Sequence, residues 1–302
     1  MTNYLQTSDG HVPFDVRSGV GKPNGVSRIV ATLRRRPMLW LGAIIVTTLT
    51  LMAILAPLLS ADDPNQIEVA ARMRFPSDRH WFGTDSLGRD LYARVLYGAR
   101  VSLLVGLAVS LVSTCLGVVV GLVAGMHRLV DMIAMRVVDG LMAIPPVLLA
   151  IALVALSGAN IQNVIVALTV GETPRVVRLM RSVVLSAREE PYVEGAVTSG
   201  TRPLAILWRH ILPNTFSPIL VQATYIFASA MIAESALSFI GAGIPSEIPS
   251  WGNIMSEARA LWQIRPYIVF IPAAFLSLAV LGVNMIGDGL RDALDPRLVK
   301  KL

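Results

Sequence analysis

The feature that most restricts this chain is a series of apolar runs, each as long as a membrane crossing. Residues 37–60, 101–126, 140–156, 161–184, 216–240 and 267–290 are dominated by Leu, Val, Ile, Ala, Met and Gly. A hydrocarbon core of about 30 Å needs roughly 20 helical residues to cross it. Within that core every backbone N–H and C=O must find a partner in the protein, which a helix provides by itself. The expectation is an all-α, polytopic membrane protein with six transmembrane helices. Composition agrees: of 302 residues 54% are hydrophobic and 15% charged, and the mean hydropathy of +0.63 lies outside the range of soluble domains.

The basic residues set the topology. Arg34, Arg35 and Arg36 precede the first run, His127, Arg128 and Arg136 follow the second, and Arg291, Arg297, Lys300 and Lys301 follow the last. The positive-inside rule then places residues 1–36 and 291–302 in the cytoplasm as tails, and it accounts for the net charge of +6 without nucleic acid as a partner. Residues 1–36 lack the apolar core of a signal peptide, so 37–60 reads as an uncleaved first span. Residues 61–100 then form an external segment. In it Thr84 or Asp85 is placed to cap a short amphipathic helix bearing Leu87, Leu91, Val95 and Leu96 on one side.

Residues 101–290 read as a five-helix core. Gly117, Gly121 and Gly125 recur every four residues, a stripe that lets another helix approach closely. Asp139 opens the third run, and Pro145 with Pro146 breaks it, either to line a path across the membrane or as a packing kink. Arg175, Arg178 and Arg181 share one face of the fourth run, so that span should end early and project into the cytoplasm. Glu234 lies inside the fifth run, where an unpaired carboxylate is costly; it serves either cargo or a hydrogen-bonded structural role. Trp251 and Gly252 follow in a Pro-rich outer loop, suited either to docking another protein or to anchoring at the headgroups. Cys115, the only cysteine, rules out an internal disulfide and reads as a small core residue.

Between the fourth and fifth runs stands a polar stretch, 194–214, EGAVTSGTRPLAILWRHILPN. Its small residues Gly195, Ala196 and Gly200 are spaced to share a helical face. Arg202 and Pro203 mark a bend, and Pro213 is read as closing a second short helix. Glu194, Gly195, Ala196, Gly200, Ile211, Leu212 and Pro213 together resemble the cytoplasmic coupling motif of the membrane subunits of ATP-binding-cassette importers. Gly195 stands where that motif has Ala, and His210 where it has Ile. Phe82–Asp85, Gly88–Asp90, Gly98 with Arg100, and 233–259 further resemble the oligopeptide, dipeptide and nickel uptake branch.

The resemblance implies a type I importer permease fold, with coupling helices at 190–214 that dock an ATPase subunit. It also implies partners: a second homologous permease, two ATPase subunits that bind ATP and Mg, and an external substrate-binding protein. The setting would be a bacterial or archaeal plasma membrane, and the cargo di- or oligopeptides, with nickel, opines or haem as alternatives. The chain itself has no phosphate-binding Gly-x-x-x-x-Gly-Lys-Ser/Thr loop, no Gly-x-Ser-x-Gly elbow and no Cys-x-x-Cys. Its histidines, His11, His80, His127 and His210, are scattered without metal-ligand spacing. It is therefore read as a non-enzyme that binds no cofactor or metal of its own. The competing class is an ion-coupled secondary transporter working through Glu234 without ATP.

Overall fold

The computed structural model describes residues 37–60 and 62–294; the tail expected at 1–36 lies outside them, as does the one expected at 291–302 except for residues 291–294, which continue the last helix. Every regular element among the described residues is helical. In chain order these are α1 (Pro37–Ile54), α2 (Ala56–Leu59), α3 (Leu91–Met126), α4 (Arg128–Met142), α5 (Pro146–Ser157), α6 (Ile161–Arg188), α7 (Pro191–Thr198), α8 (Pro203–Ile206), α9 (Leu212–Phe239), α10 (Trp251–Ala258) and α11 (Tyr267–Leu294). A π turn, Leu207–Ile211, joins α8 to α9.

The axis of the bundle is α3. Its glycine stripe meets α6 as the spacing predicts: a Cβ at Gly117 would run into the Val176 side chain, one at Gly121 would lie 2.6 Å from Met180 Cβ, and one at Gly125 would lie 2.6 Å from Val184 Cγ1. Two backbones approach this closely only where one presents no side chain. On another face, Gly106 admits Phe227 and Met231 of α9, and Ser110 donates to the Ala223 carbonyl at 2.6 Å. Outside this pair α1 packs on α11, again through small residues, with Gly42 against Gly282 and Met285. Arg100 of α3 donates to the carbonyls of Ala53 and, at 2.8 Å, Ile54. It thereby satisfies acceptors that the end of α1 leaves open.

Among the described residues four helical stretches are long and apolar enough to cross a membrane, and a fifth is counted if α4 and α5 form one broken span. The fourth expected span, 161–184, is not among them; it lies within α6, a continuous 28-residue helix. Glu172, Arg175, Arg178 and Arg181 on its later half keep it out of the apolar class. These charges are paired: Arg175 with Glu172 at 3.0 Å, Arg178 with Asp139 at 2.8 Å, and Arg181 with Asp131. The last two fasten α4 to α6. Large apolar side chains such as Leu104, Leu107, Leu111 and Leu116 lie exposed along α3, as a chain solvated by lipid or by another subunit requires. Cys115 sits on this exposed side too, so it is not the core residue expected.

Two local expectations give way. Residues 84–96 do not form a separate amphipathic helix. The Asp85 carboxylate accepts from the Leu87 and Arg89 amides at 2.8 and 2.9 Å, closing a turn completed by Gly88 at φ +85°, a left-handed conformation natural to glycine. The cap is Asp90, which accepts from the Ala93 amide at 2.8 Å and starts the 36-residue α3. The prolines at 145 and 146 do more than kink a span: α4 and α5 meet at 89°, with Pro146 in the first turn of α5, where its missing N–H has no partner to lose.

Candidate functional site

The stretch 190–214 forms an elbow at the end of the bundle where α3 and α6 finish. Pro191 opens α7 at a position suited to proline. The helix ends in a compact set of bonds: Thr198 and Ser199 hydroxyls donate to the Gly195 carbonyl at 3.0 and 2.7 Å, and the Thr201 amide donates to the Ala196 carbonyl at 3.1 Å. Gly200 takes φ +76°, the left-handed residue that commonly terminates a helix. After Arg202, whose carbonyl accepts from the amides of Ala205 and Ile206, α8 begins.

The elbow does not end at Pro213 as the spacing suggested. The π turn passes directly into α9, and Pro213 occupies the first turn of that helix. A π turn carries an extra residue per bond, so the chain absorbs the change of direction without breaking.

One side of the elbow is bolted to the bundle. Val193, Ile206 and Ile211 are buried against Met180, Val184 and Ala187 of α6, with Ala196 and Leu212 packed alongside. Arg188 donates to the Gly125 carbonyl at 2.9 Å, joining the ends of α6 and α3. Asn214 donates from its amide nitrogen to Tyr192 Oη and to the His210 carbonyl, both at 2.9 Å, which latches α7 to the root of α9. The other side is open. Glu194, Gly195, Gly200 and Pro213 are exposed, and among the described residues nothing beyond the local backbone lies within 4 Å of a Cβ built on Gly195 or Gly200. Val197, Trp208 and Tyr192 present apolar surface beside them. Val193, Glu194, Val197 and Thr198 also line a groove that runs to Met126 and Arg188. All seven sequence-singled residues of the stretch thus belong to one structural unit, split between a buried anchor and an open face.

The other singled residues lie elsewhere. Asp139 is exposed and paired with Arg178, Pro145 is exposed, and Pro146 packs near Gly171. Glu234 is fully buried in a cage of hydroxyls: Ser238 and Ser250 donate to it at 2.8 and 2.9 Å, and Ser102 and Ser235 lie at 3.4 Å. A carboxyl so enclosed joins α3, α9 and the cap of α10. Trp251 is equally buried, its indole N–H donating to the Val95 carbonyl at 3.1 Å. Gly252 packs on Ser235, so closely that a Cβ built there would lie 2.6 Å from Ser235 Cα. Neither is available to touch a docking protein. Their burial follows from Ser250, which caps α10 and turns that helix inward.

Near α10 lies an ionic cluster that the sequence concealed, because its members are spread over residues 85–257. Arg89 Nε bonds Asp85 at 2.6 Å, and Arg94, wholly buried, reaches Asp85 at 3.3 Å and Glu257 at 3.1 Å. Arg89 also contacts Glu257. Burial pushes the Glu257 carboxyl up to about 7, against the opposing pull of the Arg89 guanidinium beside it.

The family model described as binding-protein-dependent transport system inner membrane component matches residues 117–300. The chain belongs to that family. A second model, the N-terminal transmembrane domain of oligopeptide transport permease C, matches residues 27–76. A probable peptide ABC transporter permease protein of Sinorhizobium fredii is 50% identical over 89% of this chain and 92% of its own length. A dipeptide transport system permease protein of Alkalihalophilus pseudofirmus is 42% identical over 88% of each chain, and an oligopeptide transport system permease protein of Bacillus subtilis 36% over 88% of each. The MetNI methionine ABC transporter, solved in an inward-facing conformation, matches at a TM-score of 0.50 and 20% identity, covering 64% of this chain and 94% of that one. This last likeness is one of fold. The chain is a permease subunit of an ABC transporter, a transport component of the membrane, and the secondary-transporter reading falls away.

Proposed function

We propose that this permease forms half of the pathway of an ATP-driven importer of di- or oligopeptides, and that the elbow at 190–214 is where an ATPase subunit docks. The observation that carries the docking reading is the two-sided elbow: Val193, Ile206 and Ile211 are anchored in the bundle, while Gly195 and Gly200 leave open space above the backbone. A partner can seat a helix or loop against such a face, and any movement it imposes is passed through the buried anchor to α3, α6 and α9. The peptide cargo follows from the relatives that carry peptide names, with nickel, opines or haem as the alternatives within the branch. A second homologous permease completes the pathway, two ATPase subunits bind ATP and Mg, and an external protein delivers the cargo. Both termini and the elbow face the cytoplasm of a bacterial or archaeal cell, consistent with the basic residues that flank the spans.

The test is reconstitution of the permease pair, its ATPases and its binding protein in proteoliposomes, with uptake of labelled dipeptides and longer peptides. ATP-dependent peptide accumulation is expected. Accumulation of nickel, opine or haem with no peptide uptake would overturn the cargo, and uptake that ignores ATP would overturn the coupling.

A further inference from the structure

The loop between α2 and α3 folds three ligand-bearing side chains onto one spot. Asp62, His80 and Asp90 each offer one ligand atom, and these atoms lie within 4.8 Å of one another. His80 and Asp90 are buried, 5% and 6% exposed, whereas Asp62 reaches in from the surface. Asp90 is held in place by its work as the α3 cap, one carboxylate oxygen accepting from the Ala93 amide. Its other oxygen lies 2.9 Å from His80 Nδ1. The His80 backbone is fixed as well, donating to the Ser77 hydroxyl at 3.3 Å.

An independent observation points to a guest. His80 Nε2 is buried and has no hydrogen-bond partner among the described residues. With Nδ1 committed to a carboxylate, the other ring nitrogen of a neutral imidazole is a lone-pair donor, and burying it unpaired is unfavourable. His80 lines a small cavity of about 20 Å³ together with Asp62, Asp63, Gln66, Glu68 and Asp90, room for about one water-sized occupant. Glu68 is partly engaged, paired with Arg79 at 3.3 Å. An imidazole oriented by a carboxylate is the arrangement that raises the basicity of a metal-ligating histidine.

We propose that His80, through Nε2, and Asp62 bind a divalent transition cation of the Zn(II) type, with Asp90 holding the imidazole from its Nδ1 side. The two carboxylates balance its charge. The imidazole favours a borderline cation over Ca(II) or Mg(II), which prefer oxygen cages. The bound ion joins Asp62, shortly after α2, to His80 and through it to the Asp90 cap of α3, closing the loop onto the axis of the bundle. The histidines looked scattered in sequence because the site is contributed across 62–90 and carries no short-motif spacing. The site is independent of the coupling elbow and of the cargo.

The test uses the permease purified with its partner subunits in detergent, stripped with a chelator and titrated with ZnCl2 against a zinc indicator. The wild type is expected to hold one more zinc ion per permease chain than either Asp62→Asn or His80→Gln, with affinity at this site reduced at least ~10-fold in each variant. Excess ZnCl2 is expected to raise the thermal midpoint of the wild type and not that of Asp62→Asn. Asp62 is exposed, so its variant keeps the fold and separates lost binding from misfolding. Equal zinc content and equal thermal response in wild type and Asp62→Asn would overturn the assignment, as would saturation of this site by CaCl2 in preference to ZnCl2.

Discussion

A side chain added at Gly195 is the most discriminating perturbation of the elbow. Gly195 lies within α7, and among the described residues a Cβ there meets nothing within 4 Å beyond its own stretch of helix. Replacement by Ala therefore introduces no clash and removes the entropic cost of a helical glycine, a gain of about 0.5–1 kcal/mol in local stability. Gly195→Trp likewise projects into open space in the isolated permease. In the docked complex the same indole must enter a close-packed interface, and overpacking of that kind costs about 1–3 kcal/mol. At about 1.4 kcal/mol per decade this is roughly a 5- to 140-fold loss of ATPase affinity. Gly200 is a poorer probe, because its φ of +76° strains any replacement wherever the partner sits. The assay is binding-protein-stimulated ATP hydrolysis in proteoliposomes, beside the amount of ATPase that co-purifies and the thermal midpoint of the permease. Gly195→Trp should keep the midpoint and lose stimulation and co-purification. Wild-type stimulation with a full complement of ATPase would show that the open face of α7 is not the docking surface.

Two further expectations concern packing and protonation. Gly121→Leu places a Cβ 2.6 Å from Met180 Cβ and 2.8 Å from the Val177 carbonyl oxygen, and the latter is backbone that cannot step aside. A loss of about 1–3 kcal/mol and a lower thermal midpoint are expected, whereas Gly140→Leu, at a position with nothing within 4 Å, should change little; equal effects would refute the role of the stripe. Glu257, whose folded carboxyl is raised from 4.5 to about 7, binds its proton more tightly folded than unfolded. The stability this contributes is present at low pH and is lost as pH rises from about 4.5 through about 7. The wild-type midpoint should therefore fall relative to that of Glu257→Gln over this window, and a difference that stays constant or grows with pH would refute it.

The membrane architecture was legible because a bilayer demands long apolar helices, and the α3–α6 contact was legible because close approach leaves a four-residue glycine period. The elbow was legible as a unit, yet its far end was not. A proline after Ile211 and Leu212 looks like a stop, but the first turn of a helix has N–H groups without intrahelical partners, so Pro213 costs α9 nothing. The start of α3 was misplaced for a related reason. Thr84, Asp85 and Asp90 are all capable caps, and only the turn at Gly88 decides that Asp85 serves a loop and Asp90 the helix. Trp251 illustrates the remaining limit. An aromatic in a Pro-rich loop reads as surface, and nothing nearby announces that Ser250 will cap a helix carrying it onto Val95. The Arg89, Arg94, Asp85 and Glu257 cluster joins segments far apart in the chain, Arg89 and Glu257 being 168 residues apart, so no local pattern records it.

The uninterrupted run from the π turn through α9 makes that segment a driveshaft. From Leu207 to Phe239 it has 33 residues, about 50 Å at 1.5 Å per residue. A twist of about 20° imposed at the inner end would swing a side chain at a radius of about 5 Å through nearly 2 Å at the outer end. The bonds from Ser102 and Ser250 to Glu234 cross from α9 to neighbouring elements, and a displacement of that size exceeds what a hydrogen bond tolerates. Under the docking proposed for the elbow, torque applied there would thus be felt as the unlocking of a catch at the far end of α9.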